Sequence, residues 1–290
     1  MRRLLVCVLL ASALGSGCAA GLPQDGKLQV VASAYPFAWL AERVGGPDVD
    51  VTDLVPPGAE PHDVELSPRQ VGLVEQAAVV VHLKGFQPSV DDALGDGKQG
   101  FDLGTVVSQQ ALTTGDEQTA KDPHIWLDPV RMEAAARALA DRLADKDRTH
   151  ATAYKARAAT LVSQLAALDA TFRSDLTGCA RKDVVTSHSA FGYLASRYGL
   201  TQVGITGVSP EEEPSPKKLA EVASYAKDHH VTTIFFESLV DPKVARTVAN
   251  EIGAKTAVLD PIEGVKGGDD YLTVQARNAA NLREALGCKG

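Results

Sequence analysis

The chain of 290 residues is poor in aromatic side chains, which make up 5% of it, and it has only four cysteines. After the first three residues no basic run is longer than a pair, and the formal net charge is −8. Because phosphate contacts need clustered lysine and arginine, these features exclude a nucleic-acid-binding protein. Beyond the N-terminus no apolar run approaches the roughly 20 residues of a membrane-spanning helix. The hydrophobic content of 44% is typical of an ordinary globular protein, and the length suggests two domains or lobes.

The N-terminus has the layout of a lipoprotein signal. A positive start at residues 2–3 precedes an apolar stretch at 4–14, small residues at 15–17 and then Cys18. We therefore expect residues 1–17 to be removed as a signal peptide. Cys18 would then carry lipid and anchor the protein to the outer face of the cell membrane. A secreted protein in which Cys18 stands at this place by chance remains the alternative.

The remaining cysteines suggest one disulfide bond. Cys7 leaves with the signal and Cys18 takes the lipid, so Cys179 and Cys288 remain. Two cysteines in an oxidising compartment are expected to pair, and this pair would join the start of the C-terminal half to its end. Two unpaired thiols are the alternative.

Short β-branched runs alternate with helical periodicity, and this alternation predicts an α/β fold with parallel sheets. The expected strands are residues 28–32, 49–55, 78–83, 102–107, 183–186, 202–205, 232–236 and 257–259. Between the two groups of strands, apolar residues from Tyr154 to Leu176 recur every seven, four or three positions, which predicts a long amphipathic helix. We expect two α/β lobes, each with a parallel sheet, joined by this long rigid helix. The corresponding segments are a tether at 18–27, an N-terminal lobe at 28–148, the linking helix at 149–177 and a C-terminal lobe at 178–290.

Four potential metal ligands follow predicted strands or turns. They are His62, His124, His188 and Asp260. Ligands of open α/β sheets bind beyond the carboxyl ends of the strands, so these side chains are candidates for a shared site in the cleft between the lobes. Three imidazoles and one carboxylate suit tetrahedral Zn²⁺, whereas manganese and calcium prefer more oxygen ligands. The ligands are far apart in sequence, and a surface or helix-capping role is the alternative for each histidine.

Six longer stretches carry a family resemblance. They are GAEPHDVELSP at 58–68, DPHIWLDP at 122–129, TSHSAFGYLASRYGL at 186–200, GVSPEEEPSPKKL at 207–219, IFFESLVDPKVARTVANEIGAK at 234–255 and LDPIEG at 259–264. In this order they resemble the metal-binding lipoproteins of bacterial ABC importers for zinc and manganese, the cluster A-I solute-binding proteins. The resemblance implies two α/β lobes bridged by a long helix. It also implies a monomeric, non-enzymatic protein that delivers metal to the membrane permease of an ABC importer.

The same resemblance assigns roles to individual residues. It implies that His62, His124, His188 and Asp260 are the metal ligands. At the third position zinc binders usually have histidine and manganese binders usually have glutamate, so His188 favours zinc. Glu237 matches a family glutamate close to the site, and it either accepts a proton from a ligand imidazole or pairs with the backbone in a structural role.

Other functions remain to be weighed against zinc delivery. Manganese or iron binding within the same importer family is the nearest alternative, and an adhesin function would be secondary to metal binding. A zinc hydrolase needs an open coordination position for water, which four protein ligands do not leave, and no His-Glu-x-x-His motif is present. Residues 108–121 contain no histidine, so we do not expect the zinc-collecting loop that many zinc-binding relatives carry.

Overall fold

Each half of the chain forms a parallel β-sheet in the computed structural model, which describes residues 26–111 and 121–289. The first sheet consists of β1 (Leu28–Ala32), β2 (Val49–Asp53), β3 (Val79–His82) and β4 (Gly100–Asp102). The second consists of β5 (Asp183–Thr186), β6 (Thr201–Gly204), β7 (Thr233–Phe236) and β8 (Lys255–Val258). The predicted fold of two parallel-sheet α/β lobes is therefore confirmed.

Both sheets have the same strand order, β2-β1-β3-β4 in the first and β6-β5-β7-β8 in the second. In each sheet the first strand is central and pairs in parallel with the second and third strands. The chain direction across the sheet therefore reverses beside β1 and beside β5. Such a switch point opens a crevice at the carboxyl ends of the strands, which is where ligands of open α/β sheets bind.

Helices cover the sheets and connect the strands. They are α1 (Tyr35–Gly45), α2 (Pro68–Gln76), α3 (Pro88–Leu94), α4 (Pro129–Lys146), α5 (Ala151–Asp175), α6 (Gly192–Tyr198), α7 (Pro216–Asp228), α8 (Lys243–Ile252) and α9 (Tyr271–Leu286). The sequence predicts the start of α2 because Ser67 forms a capping box with Gln70 ahead of the first turn. Helix α3 was not predicted.

Helix α5 lies within the predicted linking segment and packs against α1 of the first half and α9 of the second. Its buried side chains include Tyr154, Leu161, Leu165 and Phe172, as the spacing predicts. Helix α4 precedes it and is separated from it at Asp147, although the sequence has no glycine or proline there. The Asp147 carboxylate accepts bonds from the backbone N–H groups of Thr149 and His150, which satisfies donors at the start of α5.

Buried polar contacts connect the two halves next to the crevice. Trp126 donates its indole N–H to the carbonyl of Pro261 at 2.7 Å, and Tyr271 donates its hydroxyl to the carbonyl of Trp126 at 2.5 Å. Arg197 of α6 pairs with Asp128, the residue that caps α4. Each half therefore donates a hydrogen bond to the backbone of the other, and the second half also pairs with the residue that caps α4.

The disulfide prediction is confirmed, because Cys179 and Cys288 are bonded across a sequence separation of 109 residues.

The predicted strand at 102–107 is wrong. Strand β4 ends at Asp102, whose carboxylate accepts the N–H of Gly104 at 2.8 Å and so caps a 3₁₀ turn, Leu103–Thr105. The predicted signal peptide and Cys18 lie outside the described residues. Within residues 26–111 and 121–289, no helix combines the length and apolar character that crossing a bilayer requires.

Candidate metal centre

Three histidines and one glutamate converge in the crevice between the halves. His62 lies on the segment between β2 and α2, His124 just before α4, His188 two residues after β5, and Glu263 five residues after β8. One potential ligand atom of each residue lies within 4.8 Å of the corresponding atoms of the others. The structure thus brings together the three histidines that the sequence suggested, with Glu263 as the fourth member.

Five of the six separations among these atoms are those of a tetrahedral zinc site. The Oε1 atom of Glu263 lies 3.2 Å from Nε2 of His62, 3.4 Å from Nε2 of His124 and 3.6 Å from Nε2 of His188. Nε2 of His124 lies 3.3 Å from that of His62 and 3.4 Å from that of His188. In a regular tetrahedron with edges of this length the centre is about 2.1 Å from each corner, which is the usual Zn–N distance.

Two of the imidazoles are hydrogen-bonded to carboxylates through Nδ1. Nδ1 of His124 lies 2.8 Å from Oδ1 of Asp122, which also accepts the backbone N–H of His124. Nδ1 of His188 lies 2.6 Å from Oε1 of Glu237. A neutral imidazole that donates through Nδ1 presents a lone pair at Nε2. The carboxylates therefore direct two lone pairs toward the oxygen of Glu263, and a cation is the species that satisfies such converging acceptors.

His62 is positioned by its own segment. The carboxylate of Glu60 accepts the backbone N–H of His62 at 3.0 Å, and burial raises the pKa of that carboxyl to about 7. The amide of the buried Gln87 donates to the carbonyl of Pro61 at 2.9 Å and to that of Ser33. These bonds fix the backbone directly before His62.

The centre is closed to water. His124 and His188 are 0% exposed, Glu263 is 3% exposed and His62 is 9% exposed. The ring of Phe86 meets His62 edge-on at 4.9 Å, and the ring of Trp126 lies 5.2 Å from that of His124. A metal ion bound among these four side chains would therefore be shielded from solvent.

The sequence comparisons agree with this geometry. Residues 30–285 match the model of the family described as zinc-uptake complex component A, periplasmic. The chain belongs to this family. The resemblance inferred from the six sequence stretches is thereby confirmed.

Two relatives and two solved structures illustrate the similarity within the family. The high-affinity zinc uptake system protein ZnuA of Bacillus subtilis is 32% identical, with 97% of this chain and 95% of the relative covered. The zinc-binding protein AdcA of Streptococcus pyogenes is 34% identical over 89% of this chain, which spans 56% of AdcA.

Among solved structures, the laminin-binding protein of Streptococcus agalactiae, described as an adhesin with metal-transporting activity, matches with a TM-score of 0.82. It is 31% identical and covers 89% of this chain and 99% of its own. A zinc-bound mutant of AdcAII from Streptococcus pneumoniae matches with a TM-score of 0.81 at 30% identity, covering 90% of this chain and 99% of its own.

Asp260, the fourth residue of the sequence-based set, is not brought into the converging group, although it lies only three positions before Glu263. Its Oδ1 accepts the N–H of Ile262 at 2.7 Å, and its Oδ2 accepts the hydroxyl of Ser238. With Oδ1 bonded within its own loop and Oδ2 bonded to Ser238 after β7, Asp260 does not present a free oxygen to the three imidazoles. Glu263 could have been found as the next acid in the same LDPIEG stretch.

Glu237 lies against the imidazole of His188, which is one of the two placements that the sequence analysis left open. Its Oε1 also accepts the hydroxyl of Ser187, and the residue is 3% exposed. Asp122 occupies the equivalent place behind His124, and sequence reasoning missed it. Its position directly before the Pro123-His124 pair in the DPHIWLDP stretch is the signal that could have suggested this role.

Burial and neighbouring charges oppose one another at the three histidines. Burial lowers the pKa of His188, but the neighbouring carboxylates of Glu237 and Glu263 outweigh this effect and raise the pKa to about 10. The pKa of His124 is also raised, because Asp122 and Glu263 outweigh the effect of burial. At His62 burial dominates and lowers the pKa. Hydrogen bonds from the three imidazoles hold the pKa of Glu263 well below its usual range, despite its burial.

Proposed function

We propose that this protein captures Zn²⁺ outside the cytoplasm and delivers it to the membrane permease of an ABC importer. The observation that carries the proposal is the convergence of three imidazole Nε2 atoms and one carboxylate oxygen, mostly 3.2–3.6 Å apart. Membership of the zinc-uptake family supports the same conclusion.

We infer that the zinc ligands are His62, His124, His188 and Glu263. Imidazole suits zinc, whereas manganese and calcium prefer more oxygen atoms than the one that Glu263 turns toward the histidines. Four protein ligands complete a tetrahedral shell and leave no position for a reactive water. The arrangement therefore favours binding and release over hydrolysis.

The charges around the centre also suit a divalent cation. Glu263 supplies one negative charge in contact with the ion, and Asp122 and Glu237 supply two more behind the imidazoles. A buried Zn²⁺ would thus be compensated by carboxylates on several sides. Because the imidazoles of His124 and His188 are already oriented by their Nδ1 hydrogen bonds, little ordering is needed when the metal binds.

The location follows from the N-terminal sequence. We infer that residues 1–17 are a signal peptide and that a lipid on Cys18 anchors a monomer to the outer face of the membrane. Metabolic labelling with a fatty acid, with and without Cys18→Ala, tests the anchor. Label that persists in the variant would contradict this assignment.

Zinc binding is tested with the mature chain purified without added metal and titrated with zinc against a chromophoric chelator. One zinc per chain is expected. His124→Ala should weaken binding by a factor of at least about ten, because loss of outer-shell partners alone costs 10–100-fold. His150→Ala is the matched control, since the His150 side chain is 42% exposed and the residue follows α4, whereas His124 precedes it. Equal affinity of the His124 variant and the control would overturn the site assignment.

Delivery is tested in zinc-depleted cells that lack the protein. Restored growth is expected with the wild-type gene and not with the His124 variant. Restoration by both genes would show that uptake does not depend on this site.

A further inference from the structure

We propose that Asp260 is a positioning residue that acts through the backbone of Ile262 and sets the direction from which Glu263 meets the three histidines. The inference deepens the proposed function and rests on Glu263 being a zinc ligand. It gives a role to the acidic residue that does not reach the metal centre.

The backbone of Asp260 is held by a single side chain of α9. Asn278 donates its amide N–H to the carbonyl of Asp260 at 2.7 Å and accepts the N–H of Asp260 at 2.9 Å. Asn278 is 1% exposed, so both bonds lie away from water. Bonds of this kind cost more to lose than they contribute at a surface, because each unpaired partner stays buried. These two bonds therefore hold the backbone of Asp260 in place just after β8.

The next two residues are fixed as well. The carbonyl of Pro261 accepts the indole N–H of Trp126, and the N–H of Ile262 donates to Oδ1 of Asp260. The chain is thus hydrogen-bonded at each of the three residues that precede Glu263. The hydroxyl of Ser238 donates a hydrogen bond to Oδ2 of Asp260 and so orients the carboxylate.

Ile262 has a backbone conformation that its side chain disfavours. Its φ is 61°, in the left-handed region, where a β-branched residue is a strained outlier. Its side chain is 0% exposed, so burial and the bond to Asp260 hold it there. Such outliers persist where the surroundings impose them. Here the imposed turn stands directly before Glu263.

A positioning role means that Asp260 affects the zinc affinity only through the placement of Glu263. Asp260→Ala removes the acceptor of the Ile262 N–H and should weaken zinc binding at least about tenfold, by comparison with other residues that orient ligands. Asp260→Asn keeps an oxygen for the Ile262 N–H and should bind zinc within about threefold of wild type. A direct ligand would lose affinity in both variants, because the negative charge is gone from both.

A double-mutant cycle with Glu263→Gln provides the decisive comparison. Each single variant, Asp260→Ala and Glu263→Gln, is expected to weaken zinc binding. In the Glu263→Gln background, Asp260→Ala should change the zinc affinity by less than about threefold, because there is no carboxylate left to position. An unchanged ratio in both backgrounds would overturn the positioning role. Loss of affinity in Asp260→Asn equal to that in Asp260→Ala would also overturn it.

Cobalt absorption supplies a readout that a general loss of structure would not produce. The visible spectrum of Co²⁺ in Asp260→Ala should resemble that in Glu263→Gln, while Asp260→Asn should keep the wild-type spectrum. Circular dichroism and thermal unfolding of the metal-free variants check folding. If Asp260→Ala does not fold, the cycle is run with Asn278→Ala, which removes only the two bonds to the backbone of Asp260. Unaltered zinc affinity in Glu263→Gln would instead refute the ligand assignment itself, so the two failures are distinguishable.

Discussion

Zinc binding should release protons at a pH where free histidine has none to give. The perturbation is the addition of Zn²⁺ to the metal-free protein at pH 8.5. Carboxylates on both sides of the ring raise the pKa of His188 to about 10. At pH 8.5 this imidazole is therefore about 97% protonated, whereas an ordinary histidine with a pKa near 6.5 would be about 1% protonated.

The sign of the effect follows from linkage. Zinc takes the Nε2 lone pair, so His188 must lose its proton, and about one proton per zinc leaves the protein at pH 8.5. The zinc affinity should accordingly rise about tenfold per pH unit between pH 7 and 9 instead of levelling off. In the metal-free protein the raised pKa contributes stability that is fully present below pH 6.5 and is lost as the pH rises through about 10.

Calorimetry measures the proton count directly. Zinc is titrated in buffers of different ionisation enthalpy at pH 8.5, and the slope of the observed heat against that enthalpy gives the protons released. Glu237→Gln is the matched variant, because it removes the nearest negative charge from His188 and should reduce the number. A count near zero for the wild type at pH 8.5 would refute the reasoning, as would an unchanged count in Glu237→Gln.

Three further predictions concern the orienting carboxylates, the disulfide and the choice of metal. Glu237→Ala and Asp122→Ala should each weaken zinc binding about 10–100-fold in chelator competition, because each frees a ligand imidazole; unchanged affinity would mean that packing alone orients the rings. Replacing Cys179 and Cys288 by alanine should lower the free energy of unfolding in urea by about 4–5 kcal/mol for a loop of 109 residues in the chain-entropy model; an unchanged midpoint and slope would contradict this. His188→Glu should weaken zinc and strengthen manganese relative to it, because a carboxylate replaces an imidazole; an unchanged preference in direct titrations would mean that this position does not select the metal.

The fold could be predicted because its elements are encoded locally. The run LQVVA at β1 contains two valines and is buried over its last three residues, and Pro68 and Pro216 mark the starts of α2 and α7 after a capping serine. The failed strand prediction at 102–107 also has a local cause. The Asp102 carboxylate accepts the backbone N–H of Gly104 and ends a strand that the apolar residues alone would continue.

The candidate site was less predictable because its members are brought together by the two sheets. His62, His124 and His188 could be proposed from their places after strands or turns and from the family resemblance, but no local spacing connects them. Asp260 was chosen from the sequence because it directly follows the last predicted strand and matches a ligand position in the family resemblance. Only the three-dimensional course of the loop, with its left-handed turn at Ile262, shows which of the two carboxylates reaches the imidazoles.

The electrostatics of the centre explain how a buried cluster of acids and histidines can exist before metal arrives. Glu237 and Glu263 flank His188, and the pKa of about 10 lets this imidazole hold a proton between them in the metal-free protein. Zinc displaces that proton, so part of the positive charge that the buried carboxylates need is present before the metal binds. The desolvation of these carboxylates is therefore offset in both states, by protonated His188 without metal and by Zn²⁺ with it. Its affinity depends on the protons it displaces, so acidification favours release and alkaline conditions favour capture.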